Sequence, residues 1–155
     1  MSGKIRSDLV DEEQKTKSWV KTFFSDEVIK YLRLTHNELV QLSPVECATI
    51  GYLLSSQSFF VQKEINTNKA LAKEILHNID KIIEPELRQL SQYIPKDERR
   101  LFAITSDGAA KNLHDLLIDT QKKIEALDFL SNRLDQMSRA MIELKRAKYE
   151  PSTHS

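Results

Sequence analysis

The sequence is poor in residues that interrupt or cross-link a chain. Its 155 residues include three glycines, four prolines and one cysteine, Cys47. A single cysteine excludes an internal disulfide and is typical of proteins from reducing compartments, so we expect a cytoplasmic location. The scarcity of glycine and proline favours long uninterrupted helices over short strands joined by tight turns.

Long apolar runs and an excess of one charge are also missing. No run of 18 apolar residues and no signal-peptide pattern occurs, so neither a membrane-spanning helix nor any other membrane association is predicted. Lys plus Arg equals Asp plus Glu at 23 each, which gives no overall attraction to nucleic acid or anionic lipid. Binding to a polyanion would therefore need a local basic patch.

Motifs that carry chemistry are absent from the sequence. The four histidines lie far apart and none stands at metal-ligand spacing from Cys47. No phosphate-binding loop, dinucleotide fingerprint, metalloprotease motif or serine-hydrolase motif occurs. Asp115 and Asp119 form an i, i+4 carboxylate pair, but a solvated helix face explains them better than a metal site. We therefore predict a protein that is not an enzyme and uses no metal or cofactor.

The N-terminal third predicts an arm followed by helix. Residues 1–18 are rich in charge and poor in apolar groups, so a flexible arm is expected there. From Trp19 the apolar residues recur every three or four positions, which predicts one amphipathic helix or two short ones ending near Leu42. The sequence Ser43-Pro44-Val45-Glu46 combines a capping serine, proline at the first helical position and a glutamate that completes a capping box.

A long helix is therefore expected to begin at Pro44. Only Gly51 interrupts it before Pro85, so it should run for about 40 residues, or ~60 Å. Because Pro85 cannot donate its hydrogen bond, we expect a kink or short break near Glu84. Pro95 marks a further helix start, and Asp107-Gly108 is either a turn or a tolerated interruption. The apolar face through this region is Leu76, Ile79, Ile83, Leu87, Leu90 and Ile94.

The C-terminal part carries the strongest pattern, a coiled-coil seam with steps of three and four residues. Together with the helix from Pro44 it predicts an all-α fold: a long helical hairpin plus an N-terminal helical segment, with one domain over residues 19–149 and a disordered tail over 150–155. Without an apolar partner such a seam would expose a large patch, so we predict a homo-oligomer. Its predicted contacts are Leu113, Leu117, Ile124, Leu127, Leu130, Leu134, Met137, Met141 and Leu144.

Two local basic patches are candidates for nucleic-acid binding. The first is a polar stripe on the long helix, interrupted by Asp80 and Glu84, and the second surrounds Tyr149 near the C-terminus. A solvated helix face and favourable cations at a helix C-terminus are the respective alternatives. Tyr31, Tyr52 and the Phe59-Phe60 pair fit a core or subunit contact better than a base-stacking platform. The candidate DNA contacts are Lys69, Lys73, Lys81, Arg88, Arg139, Lys145, Arg146 and Lys148.

The chain also shares scattered residues with a known family. In the first half these are Glu46-Cys47-Ala48, Tyr52-Leu53-Leu54, Phe59-Phe60 and Gln62-Lys63-Glu64-Ile65-Asn66. In the second half they are Glu98-Arg99-Arg100, Ile104, Asp107, Ala110, Leu113, Ile124, Leu127, Asp128, Phe129 and Leu130-Ser131-Asn132-Arg133-Leu134. In this pattern, from Val45 to Lys148, the chain resembles the UvsY-type recombination mediators of tailed phages. Residues 1–44 have no counterpart in it.

The resemblance implies a ring-like helical homo-oligomer that binds single-stranded DNA in a phage-infected cell. It further implies that the protein helps a RecA-like recombinase replace the single-strand-binding protein on that DNA. The family's DNA contact matches Lys69 and Lys73 here, whereas its next basic positions fall near His77 and Ile79. The alternative hypothesis is a non-enzymatic structural or scaffolding protein of a phage or other assembly, which would share the coiled coil and bind no DNA.

Overall fold

The computed structural model describes residues 24–149, so the predicted arm over 1–18 and the tail over 150–155 lie outside it. The described residues form five helices and no strand, and 87% of them are helical. This confirms the all-α class. In chain order the helices are α1 Asp26–Leu32, α2 His36–Gln41, α3 Pro44–Leu87, α4 Lys96–Ser106 and α5 Gly108–Tyr149.

From Phe24 to Ser43 the chain forms two short helices, which agrees with the second of the two predicted alternatives for this stretch. The Ser25 hydroxyl caps α1 by accepting from the Val28 N–H at 3.3 Å. Thr35 and Glu38 form a reciprocal capping box at the start of α2. Within α1 the Tyr31 hydroxyl donates to Glu27 at 3.0 Å, and this hydrogen bond raises the pKa of the Tyr31 phenol.

Helix α3 starts at the predicted capping box. The Ser43 hydroxyl accepts from the Glu46 N–H at 3.1 Å, and the Glu46 carboxylate accepts from the Ser43 N–H at 2.7 Å. Of the kink or short break expected near Glu84, the break is wrong: α3 continues through Pro85 and ends at Leu87. Pro85 lies in the last turn, so it removes only one backbone hydrogen bond from a helix already anchored by the preceding turns.

A single residue in extended conformation, Asp107, separates α4 from α5. Its extended backbone ends α4, and its N–H donates to the Ile104 carbonyl. Its carboxylate then accepts from the Ala110 N–H at 2.9 Å and so caps the start of α5. One aspartate thus terminates one helix and begins the next.

The chain divides into two compact units, and residues 63–127 make up one of them. Its core joins α3, α4 and the first part of α5. From α3 this core contains the buried Ile75, Ile79 and Ile83, whereas Leu76, which the sequence placed on this face, is 42% exposed. The remaining buried members of the cluster are Ala103, Ile104, Ala110 and Leu117.

The other unit contains residues 24–62 and 128–149 of the described chain. Here α3 and α5 run antiparallel and come close at Gly51, where an added Cβ would lie 3.4 Å from the Met141 Cβ. The Ser138 hydroxyl donates to the Gly51 carbonyl at 2.9 Å, and the Ser58 hydroxyl donates to Asp135 at 2.6 Å. These contacts confirm that the two long helices pack against each other.

The predicted seam is the face that α5 buries. All positions of the seam are buried or half-buried in the single chain, with Leu127, Leu134 and Met141 at most 1% exposed. Its partners therefore include residues of the same chain. None of the five helices within residues 24–149 has the length and apolar character of a membrane span.

Candidate nucleic-acid interface

The first basic patch lies on α3, on the face that points away from the core of its unit. We define the α3 basic row as Lys69, Lys73, His77, Lys81 and Arg88, all of which are exposed. Lys69, Lys73, His77 and Lys81 follow one another at four-residue steps, so they share one side of the helix. At 1.5 Å per residue, Lys69 and Lys81 lie about 18 Å apart along the helix axis. Gln62 and Asn66 continue this side of the helix toward its N-terminus at steps of four and three residues, and both are also exposed.

The two carboxylates that interrupt the α3 basic row are both held by arginines. The Arg100 guanidinium on α4 forms an ion pair with Asp80. The Arg88 guanidinium lies 2.6 Å from the Glu84 carboxylate. Each acid is thereby neutralised locally, so it opposes an approaching polyanion less than an unpaired carboxylate would.

The same contacts separate the lysines of the row from its arginine. Arg88 is engaged by Glu84, and both side chains are largely exposed, at 76% and 60%. Within residues 24–149, Lys69, Lys73 and Lys81 have no carboxylate at ion-pair distance. These three ammonium groups are therefore the strongest candidates for phosphate contacts in the row.

In the second basic patch, on the C-terminal part of α5, one member is engaged in hydrogen bonds to the backbone. The Lys148 ammonium donates to the backbone carbonyls of Leu39, at 3.0 Å, Val40, at 2.9 Å, and Leu42. These carbonyls belong to the last turn and the C-cap of α2, where a cation also complements the helix dipole. An ammonium has three donors, so Lys148 acts as a helix cap and has none left for a phosphate.

The other members of this patch differ in exposure. Arg139 and Arg146 are exposed and stand seven residues apart, so they lie on one face of α5, whereas Lys145 is half-buried. Tyr149 is 60% exposed. This patch belongs to the unit of residues 24–62 and 128–149, and the α3 basic row belongs to the other unit. Each patch is therefore a candidate binding surface in its own right.

The predicted oligomerisation residues occupy the interior of the chain. Leu117, Leu127, Leu134 and Met141 are buried. The other predicted contacts are half-buried, namely Leu113, Ile124, Leu130, Met137 and Leu144. The seam that motivated the prediction of assembly is thus covered by the chain itself at four positions and partly covered at the other five. A role for these residues in contacts between copies stays a prediction.

The sequence predicted neither the ion pair of Arg100 nor the exposed side of α3 that carries Tyr52 and Phe59. Arg100 neutralises Asp80, and the basic run that opens α4 is the only local signal for it. Tyr52 and Phe59, expected in a core or subunit contact, are 77% and 78% exposed on α3. Helical periodicity could have shown this, because both residues lie on the side of the helix opposite the buried Leu54 and Val61.

Other chemical sites are not evident in the structure. Across residues 24–149, no three residues among His, Cys, Asp and Glu are grouped so that they could hold a metal ion. A shallow groove beside the Ser58–Asp135 hydrogen bond is lined by Ser55, Phe59, Gln62 and Ser131, and it contains no histidine or lysine that could act as a base. The basic surfaces therefore remain the best-supported candidate site.

Comparisons with known proteins leave the resemblance to recombination mediators as a prediction. The chain matches no protein-family model, no curated protein and no solved structure.

Proposed function

We propose that this protein is a recombination mediator that binds single-stranded DNA as a homo-oligomer. In this proposal it promotes loading of a RecA-like recombinase in place of the single-strand-binding protein. The observation that carries the proposal is the α3 basic row, in which three exposed lysines have no acidic partner among residues 24–149 while both intervening acids are paired. The residue pattern shared with UvsY-type mediators supports the same function.

Assembly supplies what a single row lacks. Three lysines give weak electrostatic binding, because each phosphate contact contributes mainly through counterion release. When several copies present the same row along one strand, the second and later contacts become intramolecular and the overall affinity rises steeply. A net charge of zero is compatible with this mechanism, since only the row approaches the DNA.

The direct test is binding of a labelled poly-dT oligonucleotide, measured by fluorescence anisotropy across a salt series. For the wild-type protein we expect saturable binding with a log–log slope of about −0.7 for each phosphate contacted. Lys69→Ala with Lys73→Ala should flatten that slope by about 1.4 for each row engaged. At about 0.1 M salt, two lost contacts correspond to roughly 25-fold weaker binding.

The matched control is Lys30→Ala with Lys96→Ala, which removes the same charge from exposed positions on α1 and α4. This control should bind nearly as well as wild type. Equal weakening of both double variants would attribute binding to overall charge and would contradict a specific role for the α3 basic row. Arg88→Ala should have a smaller effect than Lys73→Ala, because Glu84 already engages Arg88.

A second candidate function is a structural or scaffolding protein. The observation that favours it is the exposure of Tyr52 and Phe59 on a helix, which suits contact with another protein rather than with DNA. A protein of this kind would form multimers and show no salt-dependent binding to poly-dT. The anisotropy experiment, combined with sedimentation of the same samples, distinguishes the two functions.

A further inference from the structure

The α3 helix carries an apolar surface that no described part of the chain covers. We define the outer α3 face as Val45, Thr49, Tyr52, Ser56 and Phe59, which recur at alternating steps of four and three residues. Such steps are the signature of a helix that packs along another helix. All five residues are exposed, with Val45 at 67%, Tyr52 at 77% and Phe59 at 78%.

The outer α3 face is also free of charge. No Asp, Glu, Lys or Arg occurs from Cys47 to Gln62, although charged residues make up 30% of the chain. The Thr49 hydroxyl donates to the Val45 carbonyl at 2.9 Å, which satisfies its hydrogen-bonding donor within the helix. Depletion of charge and enrichment of aromatic residues distinguish the centre of protein interfaces from the rest of a protein surface.

Side-chain size indicates which partner fits this face. If α3 of a second copy lies antiparallel, with the two-fold axis near residue 54, Tyr52 of one copy faces Ser56 of the other and Phe59 faces Thr49. Each large side chain then meets a small one. A parallel pair would instead place Tyr52 against Tyr52 and Phe59 against Phe59, which crowds the contact and leaves gaps between the layers.

Charge at the two ends of the face leads to the same orientation. Glu46 precedes the uncharged segment and Lys63 follows it on the same helix. With the two-fold axis near residue 54, Lys63 of each copy lies opposite Val45 of the other, so its ammonium comes near the neighbouring Glu46 carboxylate and gives two attractive contacts. In a parallel pair, Glu46 would meet Glu46 and Lys63 would meet Lys63, and both contacts would be repulsive.

We propose that the outer α3 face binds the same face of a second copy of this chain in an antiparallel, two-fold symmetric contact. A self-complementary patch of this kind is what a closed dimer requires. The contact provides a route to assembly that does not need the seam of α5. It rests on the self-assembly in the proposed function and is independent of DNA binding.

The test is sedimentation velocity of the full chain over a concentration series, without DNA. The wild-type protein should sediment as a dimer or as a multimer of dimers. Tyr52→Arg and, separately, Phe59→Asp should reduce the mass of the assembly at least twofold while the circular dichroism of the monomer keeps its helical signal. The control Phe129→Asp changes a side chain that is 69% exposed on α5 and should leave the mass unchanged.

Lys63→Glu tests the orientation. In the antiparallel contact it converts two attractive pairs into repulsive ones, so the dissociation constant of the dimer should rise roughly tenfold. High salt should reduce this difference, because it screens exposed charges. In a parallel contact the substitution replaces one like-charge pair by another and changes little. A Lys63→Glu variant that associates as tightly as wild type would refute the antiparallel arrangement.

A wild-type chain that stays monomeric at every concentration would overturn the proposal, as would Tyr52→Arg and Phe59→Asp variants of unchanged mass. These outcomes are separable from failure of the DNA-binding proposal, because no DNA is present in the measurement. The converse also holds, since a protein can dimerise through α3 and still ignore poly-dT.

Discussion

Among single residues, Lys148 joins parts of the chain that lie far apart in sequence. Its ammonium holds the carbonyls at the end of α2, more than a hundred residues away. Lys148→Met keeps the length of the side chain but leaves these carbonyls without a charged donor, so we expect a loss of roughly 1–3 kcal/mol in unfolding free energy. Urea denaturation followed by circular dichroism measures this loss.

Arg146→Met serves as the comparison for Lys148→Met. Arg146 is exposed and lies two residues before Lys148 on α5. Its replacement should change the unfolding free energy by less than about 0.5 kcal/mol. If the two variants lose stability equally, the carbonyl contacts of Lys148 contribute nothing specific. In that case Lys148 would again be a candidate for a phosphate contact.

The sequence predicted the local roles of residues better than the distant ones. The Ser43–Glu46 capping box was predictable because both partners lie within one turn of α3. Lys148 was predicted as a DNA contact because nothing near it in the sequence reveals the end of α2. The neutralisation of Asp80 by Arg100 was missed for the same reason, since the two residues lie on different helices.

At the scale of helices, the α5 seam determines how the long helices pair. Leu134 is fully buried there, so Leu134→Ala should cost about 2–5 kcal/mol through lost burial and the cavity left behind. Leu116→Ala makes the same chemical change on α5 at a position that is 47% exposed, and its cost should be below about 1 kcal/mol. Urea denaturation of both variants compares them directly, and equal costs would contradict the observed register.

Heptad spacing predicted which side of α5 is buried but not what covers it. Periodicity depends only on the apolar positions of one helix, and an intramolecular partner satisfies it as well as a second copy does. Similarly, Pro85 was expected to interrupt α3, but its position in the last turn limits the loss to one hydrogen bond. Leu76 was assigned to the buried face because it fits the three-and-four pattern as well as Ile75 does.

At the scale of the whole molecule, the two compact units share their longest helices. Helix α3 passes from one unit to the other after Gln62, and α5 passes back after Leu127. Neither helix is interrupted at those positions. On α3 the segment without charged residues ends at the same place, Gln62, but a change of charge within one helix does not by itself predict a boundary between units. Helix continuity predicts that the two units lose stability together rather than separately.

Cys47 provides a probe for this coupling. It is the only cysteine, and it is fully buried in the unit of residues 24–62 and 128–149. Ile79 is fully buried in the other unit, where Ile79→Ala should cost about 2–5 kcal/mol. If unfolding is coupled, Cys47 should react with a thiol reagent at least roughly 30-fold faster in this variant, provided that labelling is slow compared with reclosing.

The comparison variant is Leu76→Ala, which lies on the same helix but is 42% exposed, and it should accelerate Cys47 labelling much less. An Ile79→Ala protein that loses helical signal at lower urea while Cys47 stays protected would show that the two units unfold independently. If unfolding is coupled, a partner that binds the outer α3 face only in the folded state stabilises both units. Assembly through this face would therefore also stabilise the helix that carries the α3 basic row.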